Sequence, residues 1–363
     1  MKLQVTQEHL SQALASVGRV ANARNTLPIL SNVLIKTINN RLSLSATNLD
    51  IAIIHYIGAK ISQEGSITVP ARLMQDFVSS LPSGVIDLEL TNTKLNVTTS
   101  QYHSVINGIV ADDFPVMPTI SKGKNWSMPA QDFKKGLQQV VFAASSDETR
   151  QVLTGVYIHS KDGRMYIAAT DSYRLAEKEM GKSSESTSML VPASAMQDLL
   201  RIMGDFDGDL LATHDGQQVQ FQVGDVELTA RLVEGNYPDY QKLIPSEFTS
   251  TIKLKKSDLL SVTKVSSLFA RESAGSVTIE LEAKSNKLSI RSVASQLGEN
   301  TATAEGEVDG GGSITLNSRY LMDALQVLGG EDVVFGFNGK LEPTVIEDPA
   351  DPSYKHIIMP LKS

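Results

Sequence analysis

The chain repeats itself three times. The stretches Arg41–Thr47 (RLSLSAT), Arg164–Thr170 (RMYIAAT) and Lys287–Val293 (KLSIRSV) start 123 residues apart on both occasions. Each alternates apolar and polar residues at period two, as a half-buried strand does. A second set is Val69–Leu81 (VPARLMQDFVSSL), Val191–Met203 (VPASAMQDLLRIM) and Leu316–Leu328 (LNSRYLMDALQVL). Its apolar residues fall at helical spacing: Met74, Phe77, Val78 and Leu81; Met196, Leu199, Leu200 and Met203; Leu321, Ala324, Leu325 and Leu328. The first two members share a Met-Gln-Asp tripeptide, ending at Asp76 and Asp198. Pro70 and Pro192 fall near the first turn of these helices, where a missing N–H costs nothing. A third set opens at Thr6, Ala130 and Lys256 and aligns Leu10, Phe133 and Leu259 as the start of amphipathic helices. Each unit closes on a proline-bearing stretch: Asp112–Pro118, Gly235–Pro245 and the terminal IIMPLKS.

A period of this length exceeds that of solenoids and propeller blades, and each unit has enough residues for a core of its own. The expectation is an α+β chain of three tandem, similar domains at 1–122, 123–246 and 247–363. Each has two helices packed on antiparallel sheet. Helical windows at 7–24, 70–81, 130–150, 192–204, 255–272 and 317–329 carry a formal charge of +3, leaving −11 on the rest of a chain whose total is −8. If the helices share one surface, that surface is weakly basic on an acidic body.

Several chemistries are excluded or unsupported. With no cysteine in 363 residues, disulfides, thiolate metal sites and thiol nucleophiles are ruled out. No apolar run is long enough for a membrane span, and the N-terminus lacks a signal-peptide core, so a cytoplasmic location is expected. The six histidines have no ligand spacing. Asp205–Asp209 has its glycine at the wrong place for a calcium loop, and Gly181-Lys182-Ser183 lacks the first glycine of a phosphate loop. No carboxylate pair reads as catalytic, so no enzymatic activity, metal or cofactor is expected. The competing reading, an enzyme on repeated domains, would put its site at a junction such as Asp171–Arg174.

The three-unit layout, TLPILSN (Thr26–Asn32), VPAR (Val69–Arg72), ATDSYRLA (Ala169–Ala176), NYPDY (Asn236–Tyr240) and IIMPLKS (Ile357–Ser363) together resemble the bacterial sliding clamp family, the beta subunit of DNA polymerase III. The resemblance implies a DNA-clamp fold and a head-to-tail homodimer, whose six domains form a ring around double-stranded DNA. Twelve helices, each about 10 Å wide, would enclose a bore of about 28 Å, enough for a hydrated duplex. It implies DNA contacts from Arg24, Arg72, Arg201 and Gln151, although Gln151-Val152 replaces an aromatic pair found in some members. It implies a partner-peptide pocket lined by Leu153, Thr170, Ser172, Tyr173, Arg174, Leu175, Pro238, Lys242, Leu243, Ile358, Met359, Pro360 and Leu361, with Arg174 and Lys242 as polar rim contacts. Ser172-Tyr173 departs there from a common Gly-His pair. Leu73, Leu268 and Phe269 match apolar dimer-interface positions. The implied partners are the replicative polymerase's catalytic subunit, a separate ATP-dependent clamp loader, and translesion polymerases, mismatch-repair proteins and DNA ligase through linear peptide motifs.

Overall fold

The computed structural model describes residues 1–21, 27–183, 186–295 and 298–361. Arg24 and Thr26, together with Lys362 and Ser363 of the tail motif, lie outside the described residues. Among the described residues six α-helices fall in the six sequence-derived windows: α1 (Gln7–Ala21), α2 (Ala71–Ser80), α3 (Ala130–Val140), α4 (Ala193–Met203), α5 (Lys256–Phe269) and α6 (Ser318–Val327). The aligned residues Leu10, Phe133 and Leu259 are all fully buried, as are Met74, Met196 and Leu321 on the second helices. Repeated positions therefore do repeated work: each apolar stripe is withdrawn from water, at roughly 1.5–3 kcal/mol per large side chain. Pro70 and Pro192 end the strands Ser66–Pro70 and Ser188–Pro192, just ahead of α2 and α4.

One helix is shorter than expected. The window 130–150 holds α3 only as far as Val140; a 3-10 turn follows at Val141–Ala143, and Ala144 is extended. A separate 3-10 stretch, Glu148–Leu153, begins where the Asp147 carboxylate accepts hydrogen bonds from the Thr149 amide and hydroxyl at 3.1 and 2.6 Å. Asp is a strong helix initiator, and its capping here starts a new element instead of continuing the old one.

The chain packs as two compact units, and the division falls inside α3 and α4. The first unit comprises residues 1–131 and 197–232. It holds a five-stranded sheet in the order Lys60–Gln63, Lys2–Thr6, Val85–Thr91, Lys94–Thr98, His103–Asn107. It also holds an eight-stranded sheet in the order Lys124–Pro129, Asp209–His214, Gln218–Val223, Val226–Arg231, Ile51–Gly58, Arg41–Thr47, Asn32–Ile38, Ser66–Pro70. The second unit, residues 132–196 and 233–363, contains a nine-stranded sheet in which Ser188–Pro192, Gly155–Lys161, Arg164–Thr170 and Arg174–Lys182 continue into Tyr354–Ile358, Thr344–Glu347, Asp332–Phe337, Ser250–Lys255 and Glu307–Asp309. Its four-stranded sheet runs Gly298–Glu305, Lys287–Ala294, Ser276–Glu282, Gly311–Asn317. Among the described residues the strands pair antiparallel throughout, for example Thr229 with Ala52 and Arg174 with Ile358. Strands of neighbouring repeats thus share sheets. Each repeat is internally doubled, so each half can close its raw edge against half of the next repeat.

Candidate functional site

Strand Arg164–Thr170 turns into strand Arg174–Lys182 through Asp171, Ser172 and Tyr173, and this turn is tightly bonded. The Asp171 carboxylate accepts from the Tyr173 and Arg174 amides, both at 2.9 Å. The Thr170 hydroxyl donates to the Arg174 carbonyl at 2.6 Å and accepts from the Ser172 amide at 3.1 Å. Ser172 sits at φ 80°, the left-handed region in which glycine is at ease and a side chain is strained. Its hydroxyl gains a bond that glycine could not make, accepting from Arg150 Nη1 at 3.0 Å.

Beside this turn is a cavity of about 150 Å³ lined by Leu153, Thr170, Ser172, Arg174, Leu175, Pro238, Tyr240, Leu243, Ile357 and Met359. Eight of these are sequence-derived pocket residues. Tyr240 and Ile357 were missed. Tyr240 lies in the NYPDY motif, just after a Pro-Asp turn, and that position was its only signal. Both are packed in a buried cluster with Ala168, Leu175 and Val345. Ile358, expected in the lining, is not part of it: it and its neighbour Ile357 are both buried, but alternation along the final strand turns Ile357 and not Ile358 toward the cavity. Tyr173, Lys242, Pro360 and Leu361 are not among the lining residues. Tyr173 is exposed and its carbonyl accepts from the Met359 amide at 2.8 Å; Leu361 donates its amide to Thr315; Lys242 is exposed and paired with Asp239 at 2.7 Å.

The Tyr240 ring is held from behind. Its hydroxyl shares a 2.7 Å hydrogen bond with His159 Nε2, and His159 stacks between Tyr157 and Tyr166 at 4.6 and 5.5 Å. Burial, with Lys161 nearby, pushes the imidazole down to about 4, so it is neutral at pH 7. Burial raises the Tyr240 phenol far above its ordinary range, and the Glu177 carboxylate adds to this.

Arg174, expected as a polar rim contact, lines the cavity and is also bonded inward. Its Nε donates to Asp171 at 3.1 Å, Nη1 to Asp323 at 2.7 Å and Nη2 to the Phe142 carbonyl at 2.9 Å. The guanidinium also lies over the Tyr320 and Phe142 rings at 4.5 and 5.3 Å. With its side chain only 12% exposed, it clasps α6 and the segment after α3 to the turn. The same bonds occupy Asp171, so the junction proposed for a catalytic site is engaged in holding the fold. Nearby, Lys178 donates to both carboxylate oxygens of Asp351 at 2.6 Å. Burial raises the Asp351 carboxyl, but bonds from Lys178, Ser353 and Gln139 outweigh it and hold the group at about 2.

The expected DNA-facing residues that are described lie on helices or turns. Arg72 on α2 is 85% exposed and 3.8 Å from Asp76. Arg201 on α4 pairs with Asp198 at 2.7 Å. Gln151 lies in the 3-10 stretch, its carbonyl accepting from the Thr154 amide at 3.0 Å. Leu73 and Leu268, expected at a dimer contact, are 54% and 49% exposed, and Phe269 is half-buried. Among the described residues no group of three or more side chains could hold a metal ion, and no helix is long and apolar enough to cross a membrane.

An antiparallel-sheet unit carrying two helices and repeated three times along one chain is the architecture of the DNA-clamp class. Family models for the N-terminal, central and C-terminal domains of the DNA polymerase III beta subunit match residues 1–118, 127–239 and 241–362. The beta sliding clamp of Synechocystis is 34% identical, with 100% of this chain and 99% of the relative covered. The sliding clamp of Bacillus subtilis superposes with a TM-score of 0.95 at 27% identity, covering 100% of this chain and 99% of that one. A Pseudomonas aeruginosa clamp bound to griselimycin gives 0.95 at 25% identity, with both chains fully covered. The chain belongs to the DNA polymerase III beta subunit family, the beta sliding clamps. Members of that family are processivity factors of the polymerase.

Proposed function

We propose that two copies of the chain close head to tail into a ring around duplex DNA, slide along it without reading sequence, and tether replication and repair proteins to it. The observation that carries this is the threefold repeat spanning the whole chain, matched from end to end by clamps. We keep domain limits of 1–122, 123–246 and 247–363 for the three repeats. The protein acts in the bacterial cytoplasm and has no turnover of its own.

Ring closure joins the first domain of one copy to the third domain of the other. Leu73, Leu268 and Phe269 supply apolar contact, and the exposure of the first two within one chain supports that role. His103–Asn107 and Gly298–Glu305 are the outermost strands of their sheets, with exposed Val105 on the former, and each offers an edge to another chain. DNA is held by Arg24, Arg72, Arg201 and Gln151 through its phosphates, contacts that are sequence-blind, weakened by salt and quick to exchange. Retention then comes from topology, since a closed duplex cannot leave until an interface opens.

Partners dock short peptides with apolar anchors in the Leu153–Met359 cavity, the adaptable Met359 accommodating different side chains. Tyr173, Lys242, Ile358, Pro360 and Leu361 belong to its surroundings or support. The partners are the polymerase catalytic subunit, an ATP-dependent loader, translesion polymerases, mismatch-repair proteins and DNA ligase. The test compares loaded complexes on circular and linear duplexes at moderate salt. The ring predicts retention on the circle and release from the linear form; equal retention on both refutes it.

A further inference from the structure

The Met-Gln-Asp repeat has a structural counterpart that the functional reading above leaves unused. Asp76, Asp198 and Asp323 occupy the same position in the three second helices, and each carboxylate meets an arginine: Arg72, Arg201 and Arg174 respectively. In the third repeat the pair is the clasp described above. In the first it is loose, with both side chains exposed, and an exposed pair at 3.8 Å is worth little. The second repeat is different. Asp198 is only 15% exposed and meets two arginines, Arg201 Nη1 at 2.7 Å and Arg19 Nε of α1 at 3.5 Å. Both arginines keep their outer faces in solvent, at 46% and 60% exposure. All three side chains line one cavity of about 880 Å³ with His9, His55 and Asp225. The Asp225 carboxylate is already bonded to Arg41 at 2.9 Å. Asp205 also lines the cavity, and Asp198 is the carboxylate that pairs with Arg19 and Arg201.

We infer that Arg19 joins Arg201 in contacting the phosphodiester backbone of duplex DNA, and that Asp198 is an internal counter-ion that cancels one of their two charges. The inference rests on the ring reading. Two bare guanidinium groups side by side would grip adjacent phosphates and deepen the energy well at each register along the duplex. A carboxylate fixed between them leaves the triad with a single net positive charge. It also offers each arginine an alternative partner as a phosphate leaves. The exchange is between two ion pairs of similar strength, so the barrier to moving by one phosphate stays low. Asp198 acts through the arginines and is a positioning residue; it does not touch DNA.

The test is equilibrium binding of a short linear duplex to the full-length dimer, followed by fluorescence anisotropy between about 50 and 200 mM salt. In Asp198→Asn one more phosphate is neutralised, so the log–log salt slope steepens by about 0.9 and the fall in affinity over that range grows by a further 3- to 4-fold, roughly. Adding Arg19→Gln to Asp198→Asn returns the slope to that of the natural chain. Glu89→Gln removes the same charge from an exposed strand residue paired with Lys2 and leaves the slope unchanged. An unchanged slope in Asp198→Asn, or an equal change in Glu89→Gln, overturns the inference. If melting shows that Asp198→Asn does not fold, Arg19→Gln alone decides: a shallower slope supports the contact and an unchanged one refutes it. Retention of the natural chain on circular DNA is measured in parallel. Its absence brings down the ring reading itself, whereas retention with an unchanged slope brings down only the role of Asp198.

Discussion

Replacing Arg174 by methionine separates the role the sequence suggested from the one the structure gives. As a rim contact, Arg174 would matter to peptide binding and hardly to stability. As a clasp, its loss leaves Asp323 and the Phe142 carbonyl without this donor and removes the cation from between the Tyr320 and Phe142 rings. Breaking one side of a largely buried ion pair costs about 3–5 kcal/mol. The unit that contains it has about 200 residues, a size at which each kcal/mol moves the melting temperature by about 2–4 °C. Calorimetry on the full chain should therefore show the transition of this unit falling by roughly 6–20 °C. Arg174→Lys, which keeps the charge but loses the planar fork, should fall in between. The reasoning is refuted if Arg174→Met melts within about 4 °C of the natural chain while peptide affinity collapses, because that is the signature of a rim contact.

Ser172→Gly relieves the left-handed strain but forfeits the Arg150 bond, so thermal stability should change by no more than about 1 kcal/mol; a loss well beyond that would show that the hydroxyl bond dominates. Acid should destabilise the second unit in two windows. His356 is fully buried and pushed down to about 3 by burial and Arg174, and His159 to about 4. The unfolded chain takes up these protons below about 6.5 while the folded chain does not, so stability is complete above that pH and falls as pH drops toward 4 and 3, by at most about 1.4 kcal/mol per pH unit for each group. Asp351, held at about 2, adds a loss that begins below about 3.8. Melting curves taken from pH 7 downward should show the first window shrink in His356→Phe; an unaltered slope in that variant would exclude the residue as a source.

The six helices and the central strand of each repeat were legible because periodicity is local and appears three times. What periodicity cannot give is which strand is whose neighbour. Val226–Arg231 and Ile51–Gly58 each alternate like any half-buried strand, and nothing in either names the other as partner. The cavity was legible through the resemblance more than through its chemistry. Leu153, Thr170, Leu175, Pro238, Leu243 and Met359 are among the cavity's lining residues, whereas Ile357 takes the place expected of Ile358, since neighbours on a strand face opposite ways and one residue of register decides which of two buried side chains meets the cavity. The inward bonds of Arg174 were not legible because a charged residue beside a turn is ordinarily solvated, and two of its partners lie 32 and 149 residues away. Aligning Asp323 with Asp76 and Asp198 needed only the register of the second helices, but its significance depended on seeing an arginine against each.

The sharing of sheets between repeats limits how such a chain can be taken apart. Excising residues 123–246 as a free-standing module would strip strand Val226–Arg231 of its neighbour Ile51–Gly58 and strand Arg174–Lys182 of its neighbour Tyr354–Ile358. Two open rows of amides and carbonyls would then face water at once, an invitation to aggregate. A lineage that began by duplicating one such module could shuffle the copies freely only until their edges had fused; afterwards gain or loss of a repeat would have to preserve both seams.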